Sequence, residues 1–174
     1  MKSCSVAILA VALSLSCAPR LLAQDDEAPA ITARVHGTFL DKAAGLGVLT
    51  GDMTIVRFEV RGGTVTAIGR IVGALADSAG NVLGRVDQEL AVGVGNVEST
   101  CNQLRMDLAA TDAEILDTPV HFDHEVAGFD SRDGGAPKAL GALCAAGTLL
   151  SGKPSADAVA RALNNVVAAV KARK

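Results

Sequence analysis

Residues 50–77 read TGDMTIVRFEVRGGTVTAIGRIVGALAD, and how this stretch is read decides the fold. Val56, Phe58 and Val60 alternate with Arg57, Glu59 and Arg61, an alternation of period two that belongs to a strand with one dry face and one wet face. The run ends at Arg61-Gly62-Gly63 and a second branched run begins at Thr64. A glycine pair between two such runs is a hairpin signal, because glycine supplies the positive φ that a tight turn needs. The stretch therefore predicts two antiparallel strands joined by a short turn.

Working outward, the same grammar repeats. Downstream, DSAGN (77–81) is a turn, and VLGRVDQELAVGVGNV (82–97) is a further strand. Upstream, ITARVHGTFL (31–40) is a strand, and DKAAGLG (41–47) loosens into a loop. Strands of about 12 residues separated by Gly, Asn and Asp turns favour an antiparallel meander. Gly69, Gly73, Gly93 and Gly95 inside these strands predict bulges or sharp curvature. The fold class that follows is mainly β: a curled antiparallel sheet, sandwich or partial barrel.

Residues 101–130 predict two more strands, with Leu104, Met106 and Leu108 sharing one face and Val120, Phe122 and His124 another. Pro119 falls at the start of the second, where a missing N–H costs least. After SRDGGAPK (131–138) the period changes. Two C-terminal helices are predicted at about 136–151 and 155–172. The first carries Cys144. Ser155 can cap the second, Asp157 sits in its first turn, and Lys171, Arg173 and Lys174 suit its negative end. Val159, Leu163, Val166, Val167 and Val170 make one apolar stripe, read as packing on the sheet. Residues 31–174 are thus a single β-rich domain closed by helices.

The first 23 residues read as a secretory signal peptide: Lys2, then the apolar run VAILAVALSLS, then a short region ending in Ala23. The run is too short to span a bilayer, which needs about 20 apolar residues. Residues 24–30, QDDEAPA, form an N-terminal arm. A second reading takes SLSC (14–17) as a lipoprotein box with Cys17 lipidated, although Ser14 stands where that motif has an apolar residue. The expected location is the periplasm or the extracellular space.

Removing the leader leaves 14 basic residues against 19 acidic ones, a net charge near −5. Such a chain has no electrostatic case for nucleic acid or an anionic membrane. Two cysteines remain, Cys101 and Cys144, and an even pair in an exported chain predicts a disulfide. With no Trp or Tyr and four Phe, the material for stacking sugars or bases is missing.

No motif carries chemistry. G-x-S-x-G, a phosphate loop and H-E-x-x-H are all absent, and VGVGN (92–96) precedes no helix start. PVHFDHEV (119–126) gathers two of the three histidines. On a strand, His121, Asp123 and Glu125 project from one face at steps of about 7 Å and His124 from the other, so the two histidines diverge. His121 and Asp123 are the weak candidates for a metal, and would need ligands from elsewhere; His36 is the one other histidine. The expectation is no cofactor, no metal and no catalysis.

Taken together, Phe58, Val60, Gly63, Val65, Ala67, Gly69, Ile71 and Gly73; Cys101, Leu104, Met106 and Leu108; Val120, His121, Phe122 and Asp123; and Cys144 form a longer pattern. Over about residues 50–170 the chain resembles a group of exported bacterial proteins of unknown function. They share an F-x-V-x-x-G-x-L-x-A-x-G-x-L-x-G strand, a C-x-x-L-x-L-x-L strand, a V-H-L-D strand and a leucine-rich helix with a second cysteine. LAATDAEILDT (108–118) is more polar than the matching segment of that group. The resemblance implies export and assigns no chemistry. The expected role is non-enzymatic: an apolar ligand such as a lipid held by the curled sheet or, alternatively, a structural or protein-interaction component of the cell envelope.

Overall fold

The computed structural model describes residues 30–134 and 137–172. The leader, Cys17 and most of the N-terminal arm lie outside the described residues. Eight antiparallel strands are followed by three helices. The strands are β1 (Thr32–Leu40), β2 (Leu46–Arg61), β3 (Thr64–Ala76), β4 (Val82–Ser99), β5 (Gln103–Leu108), β6 (Thr111–Ile115), β7 (Thr118–Phe122) and β8 (Glu125–Asp130). The helices are α1 (Ser131–Gly134), α2 (Pro137–Leu150) and α3 (Ala156–Lys171). The mainly β class and the two longer C-terminal helices stand as the sequence predicts.

The sheet runs β2-β3-β4-β5-β8-β1-β7-β6, and a further β1–β2 pairing curls it into a ring. The wall is uneven. β1 pairs β2 along its whole length, from Thr32↔Thr54 to Leu40↔Leu46. On its other edge it meets β8 only at Thr32↔Gly128 and β7 only at Gly37↔Phe122 and Thr38↔His121. Leu49, Met53, Ile71, Leu75, Val86, Leu104, Met106 and Phe122 fill the inside.

The glycines act mostly by close approach. Gly73 sits in unbroken register with β2, and Gly69 pairs Ile55 at the edge of a register shift. A Cβ on Gly73 would lie 2.4 Å from the Thr50 carbonyl oxygen, and one on Gly69 would lie 2.5 Å from Met53 Cε. The register shifts fall at Ile55/Arg57, opposite Gly69, at Leu75/Ala76, and at Val94/Val97, which contains Gly95. The first shift corrects the face assigned to Val56. It is the bulged residue and is exposed, while Phe58 is buried and Val60 partly so. β2 also starts at Leu46, inside the stretch read as loop.

Residues 103–130 form one long hairpin, bent in the middle, rather than two plain strands. β5 pairs β8 and β6 pairs β7. Between the halves, Ala109, Ala110, Asp123 and His124 are all exposed. The buried positions switch from Leu104, Met106 and Leu108 to Ile115, and from Val120 and Phe122 to Ala127 and Phe129. An extra residue in a strand exchanges its two faces. His124 therefore does not share the buried face of Val120 and Phe122, because the bend falls directly before it.

The hairpin turns at Leu116–Asp117, with φ of +50° and +60°, between the paired Ile115 and Thr118. That is the geometry of a two-residue type I′ turn, which Asn and Gly adopt most cheaply.

The helices close one end. Ser155 caps α3 by accepting from the Ala158 N–H, as predicted. Leu163, Val166, Val167 and Val170 are buried, with Val159 packed against the same core. α3 rests on β2 and β3, and α2 on β4 and α3. The Cys101–Cys144 disulfide joins the β4–β5 turn to α2, with Cα atoms 4.1 Å apart. Beside it the Ser99 hydroxyl donates to the Leu143 carbonyl at 3.0 Å.

Candidate functional site

Two of the three histidines, His121 and His36, each meet a single carboxylate. His121 Nδ1 lies 2.7 Å from Asp112 Oδ1 across the β6–β7 hairpin, with both groups exposed. His36 Nδ1 lies 2.9 Å from Glu125 Oε1, across the sparsely paired joint between β1 and β8. Asp123 stands in the bend, where its backbone N–H donates to the His36 carbonyl at 3.2 Å. His124 is exposed beside it. The weak candidates His121 and Asp123 are not drawn together on a shared ligand. Among the described residues no three His, Cys, Asp or Glu side chains gather as a metal centre. The arrangement offers separate imidazole–carboxylate contacts near the surface, each between one histidine and one acid.

Among Val35, Met53, Leu90, Val92, Leu108 and Phe122 the cavity is about 10 Å³, room for roughly one water. Space opens at the end away from the helices. There a hollow of about 310 Å³ is lined by Phe39, Leu40, Leu83 and Thr118, with Asp41 and Asp77 at its edge. Both carboxylates are turn clips. Asp41 accepts from the Ala43 and Gly45 N–H groups and from the Ser78 hydroxyl and N–H. Those donors, led by the Ser78 hydroxyl, hold its carboxyl down at about 2. Asp77 accepts from Asn81 and from the Ala79 N–H, which lower its pKa as well.

The outer surface near that end carries several exposed apolar side chains. In register across the wall, Leu40 stands beside Leu46, and Thr38, Val48, Ala76 and Val82 form the next row. Leu40 is 74% exposed, Leu46 61% and Val82 68%, and Val48 and Val72 extend the same face. Among the described residues nothing covers them. The sequence hides this face because Leu40 borders, and Leu46 falls inside, a stretch that reads as loop, and because pairing, not sequence distance, puts Val82 next to Ala76.

A second feature the sequence does not announce lies at the opposite end. β2 runs past the start of β1, so its last residues have an open edge. Asn164 on α3 closes it: its Oδ1 accepts the Phe58 N–H at 2.8 Å and its Nδ2 donates to the Phe58 carbonyl at 2.9 Å. Lys171 Nζ donates to the Val56 carbonyl at 3.2 Å. The side chains imitate the missing strand. No helix among the described residues is long and apolar enough to cross a membrane. No family model, curated protein or solved structure matches this chain.

Proposed function

We propose that the chain is an exported, non-enzymatic component of the cell envelope that works by presenting its apolar β1–β4 face to another macromolecule. One observation carries the reading: Leu40, Leu46, Val48 and Val82 are exposed on neighbouring strands, while the cavity among Val35, Met53, Val92 and Phe122 is only about 10 Å³. An exposed apolar patch on a chain with a completed core marks a contact surface. The predicted leader and a disulfide, which persists in oxidising compartments, support export.

A second reading, an apolar ligand such as a lipid, draws on the 310 Å³ hollow, near the lower limit for ligand sites of about 300 Å³. Native mass spectrometry of protein purified from its own host, run beside envelope fractionation, separates the two. The contact reading expects a bare protein mass and envelope retention that Leu46→Asp removes without lowering the melting temperature. A stoichiometric lipid mass, lost on Leu83→Asp, would move the assignment to ligand binding.

A further inference from the structure

We infer that the macromolecule meeting this face is a second copy of the chain, which rests on reading the face as a contact surface. Leu40, Leu46, Val48, Val72 and Val82 together expose on the order of 500 Å² of side chain, in the upper range of patches on monomers and often functional at that size. With its rim, such a patch approaches the roughly 800 Å² per partner of a standard interface.

The rim identifies the partner. Lys42 lies beside Leu40, Arg85 pairs Ala74 in register, and Arg34 faces Asp52 across β1 and β2 next to Val72, and none of these four is in an ion pair among the described residues. The outward charges further along the same strands are already matched, Arg70 with Asp87 and Arg57 with Glu89. A two-fold interface sets one patch against itself, so a rim of both signs is complementary to its own copy. An anionic membrane or a strongly basic protein would call for a rim of one sign. The surface also permits close approach. In the following row Thr50 and Ala74 lie between His36 and Arg85, and a shallow hollow stands at the Gly51↔Gly73 pair, so the short residues at the centre of this row leave room for a facing sheet at about 10 Å.

Sedimentation velocity of the full chain between about 1 and 100 µM, the range of a modest interface, tests this. The wild type should move from monomer to dimer. Leu46→Asp should remain monomeric with an unchanged melt at the lowest concentration, and Arg85→Glu should weaken association at least tenfold. A dimer indifferent to Leu46→Asp overturns the assignment of the face. A wild type that stays monomeric throughout overturns self-association. If that monomer is still retained by the envelope through Leu46, the contact reading stands with a different partner; if it is not, both fall.

Discussion

Asn164 offers the cleanest test of how the helices hold the sheet. Asn164→Ala removes one acceptor and one donor from Phe58, both part-buried. Each neutral hydrogen bond contributes about 1 kcal/mol net, and leaving its partner poorly solvated raises the loss to between about 1 and 3 kcal/mol. Water can reach part of this edge, so the two together come to about 2–3 kcal/mol. Alanine is a better helix former than asparagine by up to about 0.7 kcal/mol, which offsets part of the loss. The chain carries its own control. Asn165 is exposed and makes no hydrogen bond like that of Asn164, so Asn165→Ala keeps only the helical gain. The two variants should therefore differ by about 2–3 kcal/mol, or roughly 4–12 °C in melting temperature for a domain of this size. Urea and thermal melts of both variants give that difference. Amide exchange at Phe58 should accelerate in Asn164→Ala alone. If the two alanine variants melt within a degree of each other, the clasp is not holding the edge and the reasoning fails.

Leu163 has no exposed surface, so Leu163→Asp should cost at least about 3 kcal/mol and abolish a cooperative melt; an unchanged melt would show the stripe to be a docking surface. Removing the disulfide as Cys101→Ser with Cys144→Ser releases a 43-residue separation, worth about 4 kcal/mol in the chain-entropy model, and two reactive thiols in the denatured, unreduced wild type would refute the bridge itself. Asp41, held at about 2 against an ordinary 3.8, contributes stability that is present above about pH 4 and lost as the pH falls through 2. Asp41→Asn should therefore lower the melting temperature at pH 7, and its gap to wild type should close between pH 4 and pH 2.

The meander, the disulfide and the α3 stripe were legible because each rests on a local signal: alternation, glycine turns, a surviving cysteine pair, a 3.6-residue period with a serine cap. Ring closure was not. It depends on β1 pairing β2 along one edge and β7 and β8 along the other, and no periodicity encodes which edges meet. Asn164 and Asn165 make the same point at single-residue scale. Adjacent and chemically identical, they are told apart only by the strand edge that one of them reaches. The surroundings of the His121–Asp123 motif were not legible, because the bend resets the face of His124 and because Asp112 and His36 come from other strands.

The bend at Ala109–Ala110 and Asp123–His124 makes this hairpin sensitive to length rather than to identity. All four positions are exposed, so many side chains fit there. Their number does not have the same freedom. Deleting Ala110 alone would turn Ile115 out to solvent and bring Asp112 and Glu114 toward the core, with no residue replaced. Sequences that drift apart under this fold should vary freely in the letters at the bend while keeping its count, and an insertion there is survivable only if matched by one on the facing strand.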